Sequence, residues 1–199
     1  MTTSFQPASL RAALLGPLRG TVLELGPGTG VNLPYYAPGV TWIGVEPDAR
    51  RRARLATAVA RRGGGGEVLA GRAERLDVPA HSVDAVVATF VLCSVDDVTA
   101  ALAEIRRVLR PGARYVLAEH VAAPEGSWVR RGQDGWARAS RWFGAQCRPN
   151  RSIGPAIERA GFALAEVHRF VVPGPLGAGI PHLAGAAVCP ADTGKGTTS

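Results

Sequence analysis

The stretch TVLELGPGTG, residues 21–30, constrains this chain more than any other. An apolar run of strand character enters a turn with glycine at Gly26, Gly28 and Gly30. Such a turn brings bare backbone against a ligand, because a missing Cβ leaves space and glycine tolerates a positive φ. Glu24 stands two residues ahead of the turn, and a second apolar run, TWIGVE (41–46), closes on Glu46. An acid there can accept hydrogen bonds from the hydroxyls of a ribose.

The rest of the chain alternates strand-like and helix-like segments in the manner of βαβ units. After Glu46, DARRRARLATAVARR has helical spacing with Asp48 as its N-cap, and GGGG (63–66) ends it before EVLAG. VDAVVAT (83–89) is a continuous buried strand, as parallel sheets require. DDVTAALAEIRRVLRPG predicts a helix that stops at Arg110-Pro111-Gly112, and ARYVLAEHV (113–121) predicts the fifth strand. ALAEVHRFVVP and HLAGAAVC predict an antiparallel pair at a sheet edge. One α/β domain over residues 1–190 follows, with 124–150 as an insertion capping the substrate and 191–199 as a disordered tail.

A dinucleotide fold spaces its glycines G-x-G-x-x-G, and here Val31 stands in place of the third. No Gly-Lys-Ser/Thr follows, which excludes a phosphate loop of the P-loop kind. The tighter spacing suits a ligand with an amino-acid part and a ribose. Glu46 alone does not discriminate, since a nicotinamide dinucleotide also wants that acid.

Composition narrows the partners. The net charge is +7, but all basic residues except Lys195 are arginine and they are scattered. The densest group, Arg50, Arg51, Arg52 and Arg54, reads as a solvated helix face, which argues against nucleic acid. No apolar run has the length of a membrane helix, so no integral membrane segment is expected. Residues 1–20 lack the pattern of a secretory signal, and the cytoplasm is the expected compartment. Cys93, Cys147 and Cys189 lie far apart without metal-type spacing, so they read as buried thiols, with neither disulfide nor metal.

VLELGPGTG, GVEP, SVDAVVAT and IRRVLRPGARYVLAEH occur in the order found in class I S-adenosylmethionine-dependent methyltransferases, and the chain resembles that family over most of residues 20–121. The resemblance implies a Rossmann-like, seven-stranded, mostly parallel sheet with helices on both faces and the last strand antiparallel. It implies S-adenosyl-L-methionine as cofactor and S-adenosyl-L-homocysteine as product. Glu24 would lie near the methionine amino group, Gly26, Gly28 and Gly30 would line the cofactor, and Glu46 would hold the ribose. Pro47, Thr89 and Val91 complete that cofactor-binding set. Many relatives carry GDAE where this chain has GRAE; Arg72 replaces the acid that binds adenine, leaving the Ala73 backbone and Glu74 to meet it.

TFVLCSV, EHVAAPEGSW and AIERAGF resemble a narrower group, the mammalian alkyl thiol methyltransferases (methyltransferase-like 7) and their bacterial relatives. That implies a small, lipophilic acceptor, with thiols ahead of oxygen or nitrogen acceptors. A thiol loses its proton readily and needs only a modest base. His120, at the C-terminal end of the fifth strand, sits where open α/β sheets bind ligands and is the candidate for acceptor-side proton handling. Cys93 lacks the Pro-Cys setting of a cytosine methyltransferase nucleophile. Trp136, Ser140 and Phe143 have helical spacing, so the aromatics of the cap either line the acceptor pocket or bury the cap on the sheet. Open alternatives are an O- or N-methyltransferase, a non-catalytic S-adenosylmethionine-binding protein and, disfavoured by Val31, a nicotinamide oxidoreductase.

Overall fold

Strand and helix alternate as expected in the computed structural model, which describes residues 7–63, 65–140, 142, 147–174 and 177–190. The order is α1 (Pro7–Leu15), β1 (Thr21–Leu25), β2 (Thr41–Val45), α2 (Ala49–Arg61), β3 (Gly66–Leu69), β4 (Val83–Thr89) and α3 (Val98–Val108). It continues with β5 (Leu109–His120), α4 (Trp128–Ala139), α5 (Ile153–Arg159), β6 (Ala163–Pro173) and β7 (Gly179–Val188). The seven strands form one sheet in the order β3-β2-β1-β4-β5-β7-β6. The pairings from β3 across to β5 are parallel, and β7 lies antiparallel between β5 and β6. The expected sheet is present, and its reversed strand is the last in sequence.

Strand periodicity divides the core between the two faces. On β1, Leu23 and Leu25 join the cluster built with Leu102 and Ile105 of α3 and Ile157 of α5. Val22 joins the opposite cluster, with Trp42 of β2 and Leu55 and Val59 of α2. This is the side-to-side alternation of a strand, and it sends Glu24 to the same face as Val22. Helix α2 starts where the Asp48 carboxylate accepts the Arg51 N–H at 2.7 Å. Leu55 and Val59, one turn apart, are its buried stripe, while Arg50, Arg51 and Arg54 face water. Asp97 caps α3 by accepting the N–H groups of Thr99 and Ala100.

One boundary differs from the expected one. Helix α3 ends at Val108 and β5 begins at Leu109, which already pairs with Val83. Arg110-Pro111-Gly112 therefore lies within the strand as a register irregularity, not in a loop before it. Gly112, at φ +78°, makes this possible and donates its N–H to Cys189 at 2.8 Å. The tail 191–199 lies outside the described residues. Among the described residues, no helix is long and apolar enough to cross a membrane.

The site follows from the strand order. β2 and β4 flank β1 on opposite sides, so the chain leaves β1 and β4 in opposite directions and a crevice opens above their C-terminal ends.

Candidate active site

The three turn glycines have positive φ, +57° at Gly26, +61° at Gly28 and +88° at Gly30, but they do different things. A Cβ on Gly28 would meet nothing within 4 Å, because this residue faces the open crevice. A Cβ on Gly26 would come within 2.9 Å of Val91, so Gly26 lets the loop after β4 approach the turn. At Gly30 it would run into Leu33 at 2.6 Å and Leu55 at 3.1 Å, so Gly30 serves packing beneath the turn. Glu46, only 2% exposed, spans the crevice with both oxygens. It accepts the Gly28 N–H and the Asp48 N–H, each at 3.0 Å.

The crevice is about 660 Å³ and is lined by Glu46, Pro47, Ala73, Glu74, Val91 and Cys147, among others. A side pocket of about 270 Å³ continues from it past Gly26 and Phe90 to Gly28, Thr89, Arg11 and Arg51. Open space beside a positive-φ glycine, facing a buried carboxylate, fits the nucleoside of S-adenosylmethionine. The two arginines of the side pocket fit its carboxylate.

Glu24 is not on the crevice wall. It is fully buried and accepts hydrogen bonds from Tyr36 Oη (2.7 Å), Trp42 Nε1 (2.9 Å) and Asn32 Nδ2 (2.9 Å). Burial raises its pKa above the ordinary carboxylate value, against the pull of those three donors and of Arg11. Asn32 carries the connection outward: it also donates to Thr89 Oγ1 at 3.0 Å and accepts from Arg11 Nε at 3.0 Å. Glu24 thus ties the turn to the side pocket through a neighbour.

In GRAE, Ala73 is buried against the crevice, and Arg72, also on the crevice wall, pairs with Glu74 and Asp96. Glu74 Oε1 also accepts the Asp96 N–H at 2.8 Å. Burial alone would raise the Glu74 pKa, but its own and the Asp96 N–H groups and Arg72 bring it below the ordinary value.

Behind Phe90 and Cys147, which line the crevice, His120, His182 and Phe170 occupy one cross-strand row over β5, β7 and β6 and do not themselves line it. The His120 ring lies 4.7 Å from His182, and His182 stacks on Phe170 at 5.3 Å. Burial lowers the His182 pKa, opposed by its contact with the Ile180 carbonyl at 2.8 Å and aided by His120. Phe90 packs 4.8 Å from His120. Its φ of +59° is uncommon for a bulky residue and marks a strained position beside the site.

The sequence reading missed four groups here. Glu119 is fully buried and accepts the N–H groups of Val91, Leu92 and Cys93 at 2.8, 2.9 and 3.2 Å, fixing the loop after β4. Burial, with Cys93 second, pushes its pKa well above the ordinary value. Arg151 donates to the carbonyls of Leu92 and Val95, binding the segment after the cap to that loop. Cys147 and Asn32 are the others, and Cys147 changes the reading of the thiols. Its sulfur is 3.8 Å from Cys93 Sγ and 3.9 Å from His120 Nδ1. Cys147, aided by burial, pushes the Cys93 thiol up to about 12. The Cys147 thiol itself is lowered by its contact with Cys93, against its partial burial. Runs of 27 and 54 residues separate these groups in sequence, a spacing no local motif has.

Helix α4 lies in the expected cap, but its tryptophans neither line the crevice nor bury the helix. Trp128 is 60% and Trp136 54% exposed. Ser140 is buried, and Phe143 lies outside the described residues. The helix is anchored by Gln133, which accepts the Ala123 N–H at 2.8 Å and donates to Val121 O at 3.0 Å.

With this geometry in view, the family model of a methyltransferase domain matches residues 23–117. Thiol S-methyltransferase TMT1B of Homo sapiens is 34% identical over 173 residues, covering 84% of this chain and 70% of that protein. Thiol S-methyltransferase TMT1A of Homo sapiens is 33% identical over 171 residues, with the same coverage. A crystal structure assigned to the methyltransferases, from Bacillus halodurans, superposes with a TM-score of 0.73 at 18% identity, covering 92% of this chain and 98% of that one. The structural likeness speaks for the fold alone; identity and coverage carry the family. The chain belongs to the thiol S-methyltransferase family and is an S-adenosylmethionine-dependent methyltransferase of the class I fold.

Proposed function

We propose that the enzyme methylates the sulfur of a small, lipophilic thiol at the His120 end of the crevice. The single observation that carries this reading is the cluster of His120 and Cys93 behind Cys147, which lines the crevice, in a chain 34% identical to a thiol S-methyltransferase. S-adenosylmethionine supplies an electrophilic methyl group and leaves as S-adenosylhomocysteine. Glu46 holds the ribose, the backbone at Gly26 and Gly28 lies against the ligand, and Pro47, Ala73, Glu74 and Val91 enclose the adenine side. Thr89, held by Asn32, and Gly30, through packing, shape the methionine side, and Glu24 acts there through Asn32.

The acceptor thiol must lose its proton, and at neutral pH only a few per cent of an ordinary thiol has done so. His120 promotes that loss. Phe90 and the row His182–Phe170 give the acceptor an apolar, aromatic surface and exclude water from the reacting atoms. The segment 124–150 caps this end, with α4 anchored through Gln133. We assign the enzyme to the cytoplasm, a reducing compartment that suits its free cysteines.

Methyl transfer from labelled S-adenosylmethionine to a panel of alkyl thiols, phenols and amines tests the reading. Alkyl thiols should turn over fastest. Turnover of phenols or amines with inert thiols would transfer the enzyme to O- or N-methylation.

A further inference from the structure

Cys93, His120 and Cys147 each offer one ligand atom, and these atoms lie within 4.8 Å of one another. We propose that these three side chains form a binding site for a soft divalent metal, zinc by preference, whose fourth position opens to the crevice and takes the acceptor thiol. The inference rests on the thiol reading above and gives it a mechanism.

Geometry supports it first. Metal–sulfur bonds of about 2.3 Å and metal–nitrogen bonds of about 2.0–2.1 Å give tetrahedral edges of about 3.8 Å between sulfurs and about 3.6 Å between sulfur and nitrogen. Two of the three edges match: the sulfurs are 3.8 Å apart and Cys147 Sγ is 3.9 Å from His120 Nδ1, while the third lies within 4.8 Å and closes as the His120 ring turns onto the metal. A Cys₂His set with one open position is a known form of catalytic zinc site. The ligands also come from fixed segments. Glu119 holds the Cys93 backbone, the Arg148 N–H donates to Cys93 O at 2.6 Å, and Phe90 and His182 flank the His120 ring. Cys147 lines the crevice beside Phe90, Val91 and Ser94, so the open position faces the space left for substrate.

The chemistry follows. Two cysteine thiolates neutralise a divalent metal. An incoming thiol releases its proton to solvent as it binds, since only the thiolate is a ligand. In the transfer a carbon–sulfur bond forms from the acceptor to the methyl group. The bond from that methyl to the sulfonium breaks, and its electron pair stays on the departing sulfur of S-adenosylhomocysteine. The thioether product is neutral, a weak ligand, and leaves. In this scheme His120 promotes proton loss by holding the metal.

A thiol hydrogen bond has similar spacing, so the test is metal binding itself, on reduced, full-length protein. Titration with Zn²⁺, and with Co²⁺ followed by its visible absorption, should give one equivalent per chain with a tetrahedral spectrum. Cys93→Ser, Cys147→Ser and His120→Ala should each weaken Zn²⁺ by more than the roughly 10- to 100-fold that loss of a ligand's hydrogen-bond partner brings. Cys189→Ser, outside the cluster, should bind as the parent does. S-adenosylhomocysteine titration of every variant reports that it is folded. Adding an alkyl thiol should shift the Co²⁺ spectrum; adding a phenol should not. Reduced protein that binds S-adenosylhomocysteine but neither metal overturns the site, as does full thiol turnover after chelation. The second result leaves the thiol reading standing. Stoichiometric metal binding with phenols methylated and thiols inert would instead keep the site and overturn the thiol reading.

Discussion

At Gly28 the backbone has φ +61° with empty space where a side chain would stand. Gly39 has the same character, φ +84° and nothing within 4 Å, but is remote from the crevice. An alanine at either position meets the same left-handed strain, about 1–2 kcal/mol. Gly28→Ala should additionally lower S-adenosylhomocysteine affinity at least about tenfold, a cost of about 1.4 kcal/mol, while Gly39→Ala leaves it unchanged by calorimetry. Equal affinities would move the ligand away from the turn. Glu24 gives a second test at this scale. With its pKa raised above the ordinary 4.5, the native chain keeps the proton over a range where the unfolded chain has released it. Its contribution to stability is therefore full at low pH and is lost as pH rises from 4.5 towards the folded value. Glu24→Gln, which cannot ionise, should melt lower than the parent, with a gap that narrows as pH rises through that window. Parallel melting curves would contradict the buried-acid reading. The turn was legible in sequence because its glycines follow one another closely and Glu46 closes a strand run of its own. The orientation of Glu24 was not, because its donors Tyr36 and Trp42 lie 12 and 18 residues away on other segments.

The elements differ in how directly the sequence specifies them. Helices α2 and α3 carry both a cap and a buried stripe, so periodicity and capping residues gave their location. The start of β5 did not follow, since Pro111-Gly112 reads as a stop unless the register irregularity it makes with β4 is known. Helix α4 was legible as a helix but not in its orientation: aromatic spacing suggested a buried face, whereas polar side chains, Gln133 to Val121 and Ala123 and Asp134 to Asn150, do the anchoring. Gln133→Ala leaves the Ala123 N–H without its partner, and a lost buried hydrogen bond of this kind costs about 1–3 kcal/mol. We expect hydrogen exchange at Ala123 and along α4 to accelerate, and KM for the acceptor to rise while cofactor affinity holds. A variant with slower exchange or weakened cofactor binding would separate α4 from the acceptor side.

For the whole molecule, the crevice draws on residues from the turn after β1, the end of β2, the segment after β3 and the loop after β4. A ligand bound there links these segments, and binding only to the native state adds about 2.7 kcal/mol at one hundred times Kd. For a chain of this size that corresponds to a melting temperature about 5–10 °C higher, measurable with S-adenosylhomocysteine and at most about half as large in Gly28→Ala at the same ligand concentration. The alternation of strands and helices was legible from its periodicity, and the seven-stranded sheet with its last strand reversed followed from the family resemblance. The thiol–imidazole cluster was not legible, since residues 93, 120 and 147 meet only once β4, β5 and the segment between α4 and α5 are assembled.

The position of β7 bears on how the chain is made. β5 runs twelve residues through the middle of the sheet, and among the described strands the one that completes its outer edge comes last in sequence. Until Gly179–Val188 leaves the ribosome, a long row of backbone donors and acceptors on an apolar strand has no partner. A nascent chain stopped before β7 would therefore present an adhesive edge beside an otherwise nearly complete cofactor crevice. The enzyme's most exposed moment falls late in translation, when binding its cofactor cannot protect that edge.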